Sequence, residues 1–254
     1  MKINQIKPTG KQVSVTIDHE VLMLEPDLVY QYHLFQDMEL DESLLSRIKA
    51  ENQSLYFFRL AIAKLKKPLT AHELKNFLIA EGASSPVVSE VMTKVKTRKY
   101  IDDDAYAMQY VEHKKHQAGP EKIKEDLERK GIDSAIISKT IHKIPEQQIL
   151  SDLIPSKIST IKNKSKKAMM STVRMHFITK GFSQELVDAI LLRSLSAYQG
   201  DEQKLLEQAY QKALKQYGHK FDGYELNQVL IQKLYQKGFK MTDIKNIIEA
   251  HLDA

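Results

Sequence analysis

The chain has 254 residues, 42% hydrophobic and 28% charged, with 38 Lys and Arg against 33 Asp and Glu for a net charge of +5. This is enough apolar material for a sizeable core, and the absence of cysteine excludes disulfide frameworks, thiolate zinc sites and cysteine nucleophiles. The opening MKINQIKPTG has no apolar secretory stretch, and nothing approaches the roughly 20 apolar residues that cross a bilayer, so the expectation is a cytoplasmic protein with no membrane contact.

In chain order, KQVSVTIDHEVLML (11–24) places Val13, Val15 and Ile17 at the strand period, and the break at Asp18-His19 predicts a β-hairpin. Beyond Pro26 the pattern turns helical. Asp41, followed by Leu44, Leu45 and Ile48, opens a lead-in helix that runs into the first repeat, with residues 1–50 taken as the N-terminal segment. The first helix of that repeat carries Leu55, Phe58, Leu60, Ala61, Ile62 and Leu65 and ends near Pro68. Thr70 with Glu73 three residues on is a capping box that starts another helix.

From here a pattern recurs around Gly82, Gly131, Gly181 and Gly238. Eight and four residues before each glycine stand apolar pairs: Leu74/Leu78, Ile123/Leu127, Val173/Phe177 and Leu230/Leu234. Six and ten residues after it stand Val88/Met92, Ile137/Ile141, Val187/Leu191 and Ile244/Ile248. The residue just before the glycine is charged each time, as Glu81, Lys130, Lys180 and Lys237. Apolar residues four apart stack on one helix face, glycine supplies the left-handed residue after that helix, and the next pair is the facing stripe of a second helix. The glycines lie 49, 50 and 57 residues apart, which leaves room for one further helix per copy. The chain therefore reads as all-α, with tandem three-helix repeats at 51–99, 100–144, 145–199 and 200–254 behind a short strand-like hairpin. Gly200, Gly218 and Gly223 read as loop punctuation in the longer last interval.

Catalytic signatures are missing. There is no GxxxxGK[ST], no GxGxxG after a strand and no GxSxG, and no nucleophile, base and orienter can be assembled, so the chain reads as a non-enzyme without cofactors. His113 and His116 share a helical face but lack a third ligand at a metal-binding spacing. Asp102, Asp103 and Asp104 precede a helix, where acids cap the N-terminus and favour its dipole. Tyr106 and Tyr110, one turn apart, suit packing between helices, although with Tyr100 they could also stack on bases. Between Leu153 and Gln184 there is no acid, while Lys157, Lys162, Lys164, Lys166, Lys167, Arg174 and Lys180 fall within that window. It reads as a contact for phosphate or an acidic protein face, or as a solvated loop and helix start. FQDMELDESLLSRIKAEN near the N-terminus leans acidic, so the molecule is expected to be electrically polarised.

KYIDDDAYAMQYV (99–111) and GPEKIKEDLERKGID (119–133) resemble the RecX family, which regulates the RecA recombinase. The family pattern is an aromatic-Ile-Asp/Asn-Asp box, a Gly-Pro and a Lys-Gly-Ile. Here these are Tyr100-Ile101-Asp102-Asp103, Gly119-Pro120 and Lys130-Gly131-Ile132. Gly119 can end one helix while Pro120 fits the first turn of the next. LTAHELKNFLIAEG (69–82) matches the family's Ser/Thr-x-x-Glu-Leu box, and the likeness covers about 55–142. Members often carry two arginines just before Thr70, where this chain has Lys66, Lys67 and Pro68; lysine replaces bidentate arginine poorly. The resemblance implies an elongated, curved solenoid that lies, as a monomer, in the groove of the RecA filament on single-stranded DNA. There it would chiefly inhibit ATP hydrolysis, strand exchange and coprotease activity by binding alone. Some members also bind DNA, single- or double-stranded. On this reading Lys122, Lys124, Lys162, Lys164, Lys166 and Lys167 are the contact residues, and Tyr100, Ile101, Asp102, Asp103, Gly119, Pro120, Lys130 and Gly131 the scaffold.

Overall fold

A computed structural model of the chain describes residues 1–196 and 202–252. Gly200 and the expected boundary at 199/200 lie outside the described residues. The fold is helical, with a three-stranded antiparallel sheet at its N-terminus. The chain forms two compact units. One comprises 1–109 with 127–137, the other 110–126 with the described residues from 138 onward.

The first unit begins with β1 (Ile3–Thr9), β2 (Gln12–Ile17) and β3 (Glu20–Leu24), paired in that order. The β2–β3 hairpin turns at Asp18, which takes φ 47°, and pairs Val15 with Leu22. The sequence reading missed β1. Its alternation is weak and Pro8 interrupts it, but Pro is tolerated on an edge strand, and β1 is the edge of the sheet, paired with β2 with Ile6 opposite Val15.

After α1 (Pro26–Gln31), α2 runs from Glu42 to Lys64, with the Asp41 carboxylate accepting from the Leu44 N–H at 2.6 Å. The boundary expected at 50/51 falls inside this helix. A single helix serves two cores: Leu45 and Ile48 pack with the sheet residues Ile3, Val15 and Leu24, while Phe57 and Ala61 pack with Leu74, Leu78 and Val91 of α3 (Ala71–Ala80) and α4 (Ser85–Thr97). The sheet is tied down by Asn52, whose amide donates to Met23 O at 2.8 Å and accepts from the Glu25 N–H at 2.7 Å. The buried Glu25 carboxylate pairs with Arg59.

Next come α5 (Asp103–Lys114), α6 (Pro120–Arg129) and α7 (Ser134–Ile141), with the division between units passing through α5 and α6. In the second unit, α8 (Glu146–Thr160), α9 (Lys166–Ile178) and α10 (Gln184–Ser196) enclose one core around Leu150, Met169, Val173 and Leu191. A second core around Leu206, Leu230 and Ile244 is enclosed by α11 (Glu202–Tyr217), α12 (Gly223–Gln236) and α13 (Met241–Leu252).

All eight apolar residues eight and four positions before the repeat glycines are buried, as are the four at six positions after; Met92 and Ile141, ten after, are half-buried. Complete burial of one such side chain stabilises by roughly 1.5–3 kcal/mol. The four glycines take φ of 91°, 72°, 83° and 85°, the left-handed conformation that ends a helix.

These turns are also joints. The start of a middle helix seats on the glycine turn of the following repeat at three places among the described residues. The Thr70 hydroxyl donates to Lys130 O at 2.7 Å, the Gly119 N–H to Lys180 O at 2.8 Å, and the Ser165 hydroxyl to Lys237 O at 2.6 Å. The approach is close: a methyl at Gly131 would run into the His72 ring, one at Gly119 into the Gly181 backbone, and one at Gly238 would stand 2.8 Å from the Ser165 hydroxyl oxygen. Gly82 heads the series with no repeat before it, and nothing among the described residues stands within 4 Å of a methyl there.

Candidate partner-binding surface

The resemblance's scaffold residues gather at the joints. Asp102 caps α5 by accepting from the Ala105 N–H at 3.0 Å, and Asp103 reaches back to accept from the Ala71 N–H at 2.8 Å, so one acid starts a helix and its neighbour holds the start of another. Ile101 is buried in the α2–α4 core, and the half-exposed ring of Tyr100 lies 6.5 Å from Phe58. Gly119-Pro120 and Lys130-Gly131 form the two sides of joints already described.

Lys130 grips its joint twice. Its carbonyl takes the Thr70 hydroxyl, while its ammonium lies 2.9 Å from Glu73 and above the Tyr106 ring. The Thr70–Glu73 capping box is complete. Burial alone would raise the Glu73 carboxyl, but hydrogen bonds from Lys130 and the Thr70 N–H, together with the Lys130 charge, outweigh it and hold the carboxyl below its ordinary range. The Tyr106 hydroxyl, and after it Glu73, raise Lys130 against the opposing effect of burial. A depressed carboxyl adds stability above its unfolded value of 4.5 that disappears as pH falls through the folded value. Glu73→Gln keeps one oxygen for the Thr70 N–H and removes the charge and the acceptor that face Lys130. In thermal melts it should cost about 0.5–1 kcal/mol at pH 7, and the gap to the parent should narrow as pH falls below 4.5 and through the lowered folded value.

The six lysines expected to make contacts occupy two stretches, the loop into α9 with that helix's start, and the start of α6. The loop 161–165 leaves α8, passes Asn163 at φ 58°, and enters α9 through Ser165, whose hydroxyl accepts from the Ala168 N–H at 3.3 Å. Lys162, Lys164, Lys166 and Lys167 are all exposed here. The Lys164 ammonium donates to the Thr172 hydroxyl at 2.9 Å, Lys167 lies 5.4 Å above the Tyr235 ring, and the Lys166 N–H donates to Glu202 at 3.3 Å. At the start of α6, Lys122 pairs with Glu125 at 2.8 Å and Lys124 is exposed. Structure thus brings four of the six lysines together on one loop and helix start, and sets Lys122 and Lys124 at the preceding joint, where the Gly181 turn rests on the Lys122 backbone.

The acid-free window is less positive than its composition suggests, because Arg174 is paired with Asp188 at 2.8 Å. The remaining charge still acts locally. Burial, then Lys157 and Lys180, push the His176 imidazole below its ordinary value.

His113 is exposed on α5, but His116 lies beyond the helix end at Lys114, in the turn that follows, so the two do not share a helical face; no group of three or more metal-ligating side chains occurs among the described residues. Tyr110 donates to Asp126 at 2.9 Å, which gives it a packing role. Lys66, Lys67 and Pro68 form an exposed turn between α2 and α3. Sequence reasoning missed Thr70 and Ser165 as donors across joints, along with Lys212 and Lys237, which line a cavity beside the lysine loop. A legible signal existed for the first pair: each is the capping Ser or Thr upstream of a repeat glycine.

The family description "RecX, second three-helix domain" matches residues 102–141. "Regulatory protein RecX" of Streptococcus sanguinis strain SK36 is 28% identical over 258 residues, covering 99% of this chain and 100% of that protein. The protein of the same name from Geobacillus kaustophilus strain HTA426 is 29% identical over 243 residues, covering 91% and 87%. Among solved structures, a "Crystal structure of regulatory protein RecX" superposes with a TM-score of 0.62 at 22% identity, over 75% of this chain and 98% of that one. RecX from Lactobacillus salivarius gives 0.54 at 22% identity, over 58% and 99%. At this identity the structural likeness speaks for the fold.

Proposed function

Because this chain belongs to the RecX family, we propose that it regulates a RecA recombinase by binding the recombinase filament on single-stranded DNA, and that it acts by occupancy, without covalent chemistry. The observation that carries this reading is the likeness, end to end, to proteins named as regulators. Tandem repeats support it, since a series of like helical units is the kind of scaffold that suits a filament of repeating subunits. The repeats at 51–99, 100–144, 145–199 and 200–254 are the units of that contact, the first continuing from a helix that starts at Glu42. The regulated activities are ATP hydrolysis, strand exchange and coprotease function, with inhibition as the main effect. The protein works as a monomer in the cytoplasm; no helix among the described residues is long and apolar enough to cross a membrane.

Lys162, Lys164, Lys166 and Lys167, with Lys124 and more weakly Lys122, form the contact, because all six are exposed and Lys122 has its ammonium held by the Glu125 carboxylate. Co-sedimentation with preformed filaments at moderate salt tests the reading. The protein should pellet with the filament and remain in solution with recombinase that has no DNA. Failure to pellet would sink it.

The same lysine loop favours a second reading, direct binding to DNA. Affinity for bare DNA would then fall steeply with salt, the slope easing by roughly one for each phosphate-contacting lysine removed.

A further inference from the structure

The loop into α9 and the helix α11 border a cavity of about 480 Å³. Three lysines line it: Lys164 from the loop, Lys212 from α11 and Lys237 from the turn after α12. The amides of Asn163 and Gln208 join them, and no acid occurs among the described residues of the lining. Glu202 bonds the Lys166 N–H and is not part of this wall. Of the three ammonium groups, that of Lys164 donates to the Thr172 hydroxyl, which leaves its charge intact. Three lysines around one concavity with no lining acid among the described residues give it a positive potential that favours an anion. The lining spans the joint, since Ser165 and Lys237, which hold it by a 2.6 Å hydrogen bond, both belong to the wall.

We propose that this cavity is a phosphate site for the backbone of single-stranded DNA, and that filling it strengthens the joint between the last two repeats. Unpaired strand is favoured over duplex by Tyr235. Its ring is 51% exposed and carries the Lys167 ammonium over one face, an arrangement that offers a stacking platform next to a lysine row. The proposal rests on the second reading above, contact with DNA, and narrows it to a site that includes two lysines outside the acid-free window.

The test is fluorescence anisotropy of a labelled oligo-dT with the full chain and with the Lys212→Gln/Lys237→Gln double variant. Neither substitution touches the Lys237 carbonyl that closes the joint. The parent should bind, with the double variant about tenfold weaker and its salt slope smaller by about 1.4, at roughly 0.7 per phosphate contact on single strands. Oligo-dT should raise the melting temperature of the parent and leave that of the double variant where it was. Equal affinity and equal slope for parent and variant would overturn the proposal, as would no binding by the parent or equally tight binding of a duplex of the same length. The filament assay separates this inference from the main reading: pelleting with filaments but no affinity for oligo-dT would sink the cavity proposal and leave filament regulation standing.

Discussion

Gly181→Ala is expected to destabilise the protein by roughly 2–5 kcal/mol, whereas Gly82→Ala costs only about 1–2 kcal/mol. Both glycines hold left-handed backbone, φ 83° and 91°, where an L side chain loses about 1–2 kcal/mol. Only Gly181 also supports a joint. A methyl there would stand 2.5 Å from the Lys122 backbone N and 2.7 Å from its Cβ, while at Gly82 nothing among the described residues lies within 4 Å. Forcing a core apart for an extra methyl adds about 1–3 kcal/mol. The difference between the two variants, read by calorimetric melting at pH 7, therefore isolates what close seating of one repeat on the next contributes. Equal losses would mean that these turns need glycine for their dihedral angles alone.

Reversing the four lysines together, as Lys162→Glu, Lys164→Glu, Lys166→Glu and Lys167→Glu, should move the midpoint of filament binding by tenfold or more at moderate salt, with little change in the melt. All four side chains are exposed, so little stability hangs on them. An electrostatic contact spread over four charges gives the large effect that a single alanine in a long interface does not. Reversing Lys122 alone should do less, because Glu125 already holds its ammonium at 2.8 Å. An unchanged midpoint for the fourfold variant would remove this loop from the contact.

The repeat was legible because its signal is local. Apolar residues four apart, a glycine, and another apolar stripe all fall within one helical hairpin, and the buried set from Leu74 to Ile248 follows that register. Two features of the first unit were hidden for opposite reasons. The strand β1 has little alternation and contains a proline, so only its pairing with β2 identifies it. The helix α2 is so regular that nothing marks where Leu45 and Ile48 stop facing the sheet core and Phe57 and Ala61 begin facing the next one.

The joints were illegible because they connect distant residues. Thr70 reads as a capping threonine, and nothing local says that its hydroxyl, while accepting from the Glu73 N–H, also donates to a carbonyl 60 residues on. The same limit applied to charge. Counting acids along the chain made Arg174 part of a positive patch, but Asp188, beyond the window, pairs with it. In the other direction, Lys212 and Lys237 lie outside the window and line a cavity with Lys164.

The central claim is that this protein acts on the recombinase filament, and the rate of single-stranded-DNA-dependent ATP hydrolysis by the cognate RecA tests it most directly. The protein is titrated onto filaments already formed, at two salt concentrations. Inhibition is expected at amounts well below those that would coat the DNA stoichiometrically. An unchanged rate, with tight and salt-sensitive binding to bare DNA in its place, would contradict filament regulation.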